Sequence, residues 1–343
     1  MHYRHIIAGA GLAQLALGQV RVDEPLDKRQ VSLGGVSVGL VTVTKTVTAP
    51  CSATTKAAAS TTKATSAASS AAAAASTGVA TISKKNLTPN GRKAGLSGFV
   101  NIHYYPAFDQ LAPYISWYSD YYPNTPDWSG VKGVGMLWGA PGSGCVGVYE
   151  DAYNTFQSTY GNGKKAPDIM FGYYEPDCFC TSSSQMSVTS AAANWNSTLA
   201  PLSAKGTVLG SPSMCKQYDE DFLTPFKAAT AVPWDVTSIH INKPTLSEVQ
   251  ADVDYYWNKY GKPIWVSEFA CVHDHPTFLP CTDQTEIVNF INAVVPYLQN
   301  HPHVVAYGAS NGEGLGTTWP LVDTVTGNLS TTGLAYLNAI KQT

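Results

Sequence analysis

Pro263-Ile264-Trp265-Val266-Ser267-Glu268-Phe269-Ala270-Cys271 is an apolar run that carries a single carboxylate near its C-terminal end. A short apolar run entered through a proline reads as a buried strand. The glutamate at its end is then delivered to the rim of a sheet. Ile169-Met170-Phe171-Gly172-Tyr173-Tyr174-Glu175-Pro176-Asp177 has the same shape. Two strand-end glutamates in an aromatic-rich chain suggest glycoside chemistry, which needs one carboxyl as acid/base and a second as nucleophile.

Working outward from these two stretches, apolar runs predict eight strands, at 95–100, 115–118, 131–138, 168–174, 206–211, 235–241, 263–269 and 304–309. Helical patterns fall between several of them. Thr245-Leu246-Ser247-Glu248 has the form of a capping box, and the helix that it opens is stopped by Gly261. Asp283 and Glu286 open another, in which Ile287, Phe290, Ile291, Val294, Val295 and Leu298 recur at helical spacing. Residues 187–204 form a third, alanine-rich candidate. Strands alternating with helices imply a parallel sheet, and eight such units point to an α/β fold of the closed (β/α)8 (TIM) barrel type. An open doubly wound sheet is the runner-up, but the chain has no Gly-x-Gly-x-x-Gly phosphate turn. In a barrel the C-terminal strand ends build the active site, and Glu175 and Glu268 fall at the fourth and seventh.

The 343 residues carry a net charge of −3, with 13% charged and 44% hydrophobic side chains. No basic stripe is present to neutralise phosphates, so a nucleic-acid partner is excluded. The 19 Tyr and 8 Trp fit a large core and also sugar-stacking surfaces. Met1-His2-Tyr3-Arg4-His5 followed by the apolar 6–17 reads as a secretory signal over 1–18, too short to span a bilayer. A short segment (19–51) contains the dibasic pair Lys28-Arg29. Residues 52–80 are almost wholly Ala, Ser and Thr, with nothing large to bury, and read as a disordered linker or O-glycosylated stalk. The catalytic domain is expected over 81–343.

Seven cysteines suit an oxidising compartment. Cys51 stands alone in the linker region, leaving Cys145, Cys178, Cys180, Cys215, Cys271 and Cys281 for three bridges. Cys271 with Cys281, and Cys178 or Cys180 with Cys145 or Cys215, would staple loops around the active face. Asn86, Asn196 and Asn328 begin Asn-x-Ser/Thr triplets. Together these features predict a secreted protein, extracellular or wall-associated, monomeric and free of the membrane once its signal is removed. No cofactor or metal is expected.

Gly172-Tyr173-Tyr174-Glu175-Pro176-Asp177, then Leu209-Gly210-Ser211-Pro212, then Ser238-Ile239-His240, then Lys262-Pro263-Ile264-Trp265-Val266-Ser267-Glu268-Phe269 follow one another along the chain. With the weaker Lys93-Ala94-Gly95-Leu96 and Met136-Leu137-Trp138-Gly139, this order resembles glycoside hydrolase family 128. The resemblance implies a fungal secreted clan A barrel acting on β-1,3-glucan with retention. It makes Glu175 the acid/base, Glu268 the nucleophile and Trp138 a sugar-stacking platform. The placement of the two glutamates across a barrel mouth itself leads to the expectation that hydrogen bonds keep Glu268 ionised.

Two positions depart from the family pattern. Tyr174 stands where the family has the Asn that hydrogen-bonds the sugar 2-hydroxyl, and Ile241-Asn242 stand where an aromatic pair usually follows His240. Tyr174, His240 and Asn242 are therefore expected at the substrate, and so are Tyr104 after the first strand and Tyr307 and Trp319 at and beyond the eighth. His103, Tyr105 and Trp117-Tyr118 are softer candidates for the same cleft, and Glu313 is a spare carboxylate near it. Retention of both glutamates favours a hydrolase. Tyr174 favours the alternative, a β-1,3-glucan-binding cell-wall protein with little turnover; a hydrolase for another polysaccharide is a third reading.

Overall fold

The computed structural model describes residues 79, 81–98, 105–161, 164–180, 182–215, 221–275, 277–312 and 314–343. The expected signal, N-terminal segment, linker and Cys51, together with His103, Tyr104 and Glu313, lie outside the described residues.

Strands β1 (Ala94–Ser97), β2 (Trp117–Ser119) and β3 (Lys132–Gly133) pair in parallel. Val134 donates to Tyr118 O at 2.8 Å and leads directly into β4 (Gly135–Met136), which continues the third barrel strand. β4 pairs with β5 (Ile169–Phe171), and β5 with β6 (Val208–Gly210). A single parallel bridge, Gly210 to Val236, passes the ring on to β7 (Thr237–Asn242). β7 pairs with β8 (Ile264–Ala270), beyond which Val272–His273 (β9) and Leu279–Pro280 (β10) form an antiparallel hairpin. β8 pairs with β11 (Val304–Ser310), and β11 with β1. Each of the eight expected strands thus has a parallel neighbour on either side. β5, β8 and β11 are the fourth, seventh and eighth of the ring.

The helical shell is uneven. α1 (Tyr149–Thr159) follows β4, α2 (Val188–Thr198) and α3 (Ala200–Ser203) follow β5, and α4 (Leu223–Ala229) follows β6. α5 (Leu246–Tyr260), α6 (Gln284–Asn300) and α7 (Thr331–Lys341) follow the last three barrel strands. Among the described residues only 3-10 turns, Pro106–Gln110 and Ala112–Tyr114, follow β1, and no helix follows β2. The repeating (β/α) unit expected from the sequence is therefore incomplete at its start. The helix signals correspond to local chemistry. Thr245 and Asp283 accept from the first-turn amides of α5 and α6, and Gly261 closes α5 at φ 60°. The alanine-rich helix begins at its Ser187 cap but is interrupted at Leu199, where α3 restarts with a proline in its first turn.

Alternation along each strand sorts the core into two layers. Outward residues such as Leu96, Met170, Ile239 and Val266 pack under the helices. Inward residues, Trp117, Met136, Ile169, Phe171, Val208, Val236, Trp265 and Ala306, fill the barrel. Trp117, Phe171 and Trp265 meet edge to face, with centroids 5.0–6.3 Å apart. Gly95 and Gly308 make room for this plug, since a Cβ on either would lie 2.3 Å or 2.9 Å from the Trp117 ring.

Candidate active site

The plug closes the barrel floor, and the polar groups above it form the site. Glu268 reaches this position through a local irregularity. Trp265 points inward and Val266 outward, so strict alternation would turn Glu268 outward as well. Against β7, however, Ile239 pairs with Val266 while the next residue, His240, pairs with Glu268. Against β11, Tyr307 pairs with Val266 and Ala309 with Phe269. Both neighbours therefore see one extra residue in β8, a bulge at Ser267 that re-aims Glu268 into the mouth. Ser267 is held there by Ser238 Oγ at 2.8 Å and by its own bond to Ile239 O at 3.2 Å.

Glu175 is delivered by a strained turn. It has φ 46°, a region costly for a residue with a Cβ, and its amide is pinned by Ser213 O at 2.9 Å. Its Oε2 accepts from Ser183 Oγ at 2.8 Å, and its Oε1 lies 2.8 Å from His240 Nδ1. Ligand atoms of Glu175, His240 and Glu268 all lie within 4.8 Å of one another, so the two carboxyl groups face each other across the imidazole.

Glu268 is 5% exposed, and its Oε2 accepts two phenols, Tyr121 at 2.5 Å and Tyr174 at 3.3 Å. Burial raises its pKa, and the Glu175 charge adds to that, while His240 and the two phenol bonds pull the other way without cancelling it. The two phenol bonds favour the charged form of Glu268, as expected, but burial is the larger effect and acts against it. Burial lowers the His240 pKa, but the two glutamates and Asp177 outweigh it and leave the imidazole above its usual value. Tyr121 and Tyr174 are pushed well above the ordinary phenol range, first by burial, so both remain donors.

Tyr174 sits in the middle of this group. Its ring stacks on Trp138 at 6.3 Å and 13°, and lies 4.9 Å from both the Tyr121 and the His240 rings. It faces Glu268 and His240 at the barrel mouth rather than turning away. Trp138 is half-buried beside it. Asn242 points to the same face of β7 as His240. It is 4% exposed, and among the described residues its Oδ1 has no partner, nor has His240 Nε2.

Two expected residues are elsewhere. Tyr307 is fully buried in the outer layer, its hydroxyl on Gln299 at 3.2 Å, and packs against Phe269. Trp319 is equally buried, donates to Ser310 O at 2.8 Å and packs on Phe269 and Phe290. Neither offers a face to a sugar. Period-two geometry makes the reason plain for Tyr307, which alternates with the inward Ala306. Of the softer candidates, Trp117 belongs to the plug and Tyr118 to the outer layer.

Sequence reasoning missed Tyr121 and Ser183. Tyr121 lies two residues past β2 at φ 59°, a conformation that no local residue pattern announces. Ser183 lies in a loop of consecutive serines.

Disulfides Cys145–Cys180 and Cys178–Cys215 tie the loop after β5 to its neighbours on both sides, and Cys271–Cys281 closes the hairpin after β8. This settles the pairing that the spacing left open.

A family model described as glycosyl hydrolase catalytic core matches residues 98–336. Two solved structures are similar over most of the domain, each at 41% identity and TM-score 0.68. One is a family 128 (subgroup VII) oligosaccharide-binding protein from Trichoderma gamsii, the match covering 74% of this chain and 96% of that one. The other is a subgroup VII oligosaccharide-binding protein from Cryptococcus neoformans, with 78% and 99% covered. Alkali-sensitive linkage protein 1 of Schizosaccharomyces pombe is 27% identical over 238 residues, 64% of this chain, and the chain spans only 42% of that protein's length.

Proposed function

The chain belongs to glycoside hydrolase family 128, and from that membership we propose that it binds β-1,3-glucan oligosaccharides at the mouth of its barrel while holding the two glutamates out of catalytic use. The observation that carries this reading is the Tyr174 hydroxyl on Glu268 Oε2. A nucleophilic oxygen must bring an anomeric carbon to about 3–3.5 Å before it attacks. Here a phenol already stands at 3.3 Å from that oxygen, with Tyr121 beside it.

The acid side is similarly occupied. A general acid presents a proton on an oxygen that faces the leaving group. Both oxygens of Glu175 already have protein partners, Ser183 and His240. Binding does not need either function. Trp138 supplies an apolar face, and Asn242 Oδ1 and His240 Nε2 supply polar atoms that have no partner among the described residues. The choice of β-1,3-glucan follows from the family, whose solved members include β-1,3-glucanases. An extracellular or wall location belongs to the same proposal; three disulfides favour an oxidising compartment.

Retaining hydrolysis is the second reading, favoured by the approach of the carboxyl groups within 4.8 Å, close to the roughly 5–5.5 Å of retaining enzymes. Calorimetric titration with linear β-1,3-glucan oligosaccharides tests the proposal. Saturable heat is expected from the parent and from Glu175→Gln, with affinity reduced about tenfold or more in Trp138→Ala. Equal affinity in Trp138→Ala would remove this mouth as the binding site.

A further inference from the structure

Phe179 is 76% exposed, yet both of its chain neighbours are cross-linked. Cys178 before it is bonded to Cys215, and Cys180 after it to Cys145. The Cys178 amide donates to Glu175 O at 3.1 Å, and the Cys180 amide to Gln185 Oε1 at 3.2 Å. The backbone that carries the ring is therefore braced on both sides, on the segment that holds Glu175 and four residues beyond it. Val146, next to Cys145, is 75% exposed on the loop bridged to it.

An aromatic ring kept in water by two covalent braces gains nothing for the fold, since Phe stabilises by being buried. A rigid ring does gain as a binding surface, because it loses no loop entropy when a ligand covers it. The direction of the ligand follows from the chemistry of the site. The acid/base carboxyl of a glycosidase lies against the leaving-group oxygen, so residues further along its loop border the leaving-group half of the glycan.

We propose that Phe179 is an outer sugar-stacking platform, which takes a glucose ring on the leaving-group side of Glu175 and so selects longer oligosaccharides over shorter ones. This deepens the glucan-binding reading above and rests on it. Trp138 and Phe179 would then contact different sugars of one chain, with the two glutamates between them.

The test is calorimetric titration of the full chain with linear β-1,3-glucan oligosaccharides of two to seven units, beside Phe179→Ala, Phe179→Trp and, as a control, Leu334→Ala. Leu334 is a 47% exposed apolar residue on α7 that plays no part in the site. The expected result is an affinity about tenfold weaker in Phe179→Ala for the longest oligosaccharides, with the shortest binders unchanged. Phe179→Trp should restore the length preference, and Leu334→Ala should match the parent. An unchanged length series in Phe179→Ala, with the parent binding normally, overturns the Phe179 assignment and leaves the glucan reading standing. A loss equal at every length overturns it too, by pointing to a displaced loop. Failure of the parent to bind any of the series defeats the glucan reading and this inference with it.

Discussion

Replacing an amide with a phenol at position 174 changes both reach and polarity. An Asn there would leave space above Glu268 and offer a hydrogen bond to a sugar hydroxyl. Tyr174 instead brings its ring onto Trp138 and its hydroxyl onto Glu268 Oε2. Tyr174→Asn should therefore uncover Glu268, and time-resolved product analysis on linear β-1,3-glucan should show turnover at least roughly tenfold above the parent. No gain would place the block elsewhere, with the engaged oxygens of Glu175 as the next suspect. His240 and Glu268 also make stability depend on pH. Both hold protons more tightly folded than free, since their pKa values lie above 6.5 and 4.5. Stability from each is complete below its unfolded value and is lost as pH climbs through the raised folded value. Scanning calorimetry should find the melting midpoint falling as pH rises above 4.5, with a further decline above 6.5 that His240→Gln removes. A midpoint that climbs across the same range contradicts these assignments.

Among the elements, the helix ends were legible and the strand irregularities were not. Thr245, Asp283 and Gly261 are punctuation whose chemistry is local, so residue type alone fixes their role. Gly261 sits at φ 60°, and Gly261→Ala should lower unfolding stability by about 1 kcal/mol, read from denaturant midpoints. A loss indistinguishable from zero would mean that α5 ends by another device. The bulge at Ser267 is different in kind. It is a property of pairing with two partners distant in sequence, His240 and Ala309 among them, and nothing in Trp265-Val266-Ser267-Glu268 marks it. The sequence correctly placed Glu268 at a strand end, but a strict period of two would have aimed it at the helices. Tyr121 was illegible for the same reason, because its role depends on a ring of strands that turns the residues beyond β2 toward Glu268 of β8, with β1 and β11 between the two strands. Trp319 was misjudged because aromatic content alone does not say which side of a strand or loop is wet.

At the scale of the whole molecule, eight apolar runs sufficed to predict the ring, because burial of a parallel strand on both faces leaves a continuous hydrophobic signature. That no α-helix follows β1 or β2 among the described residues was not legible, since short runs of aromatic and proline residues satisfy the outer layer there without a helical period. The three disulfides gather at the loops around the mouth, and these are the same loops that carry Glu175 and follow Glu268. The cross-links thus brace the loops around the mouth, above a barrel already closed by Trp117, Phe171 and Trp265. On the function proposed above, the barrel mouth holds β-1,3-glucan without cutting it. The most direct measurement is a calorimetric titration of a linear β-1,3-glucan oligosaccharide into the full chain, followed by chromatography of the cell contents after prolonged incubation. Saturable binding and recovery of the oligosaccharide at its original length are expected. Shortened products, or no saturable heat, would contradict that function.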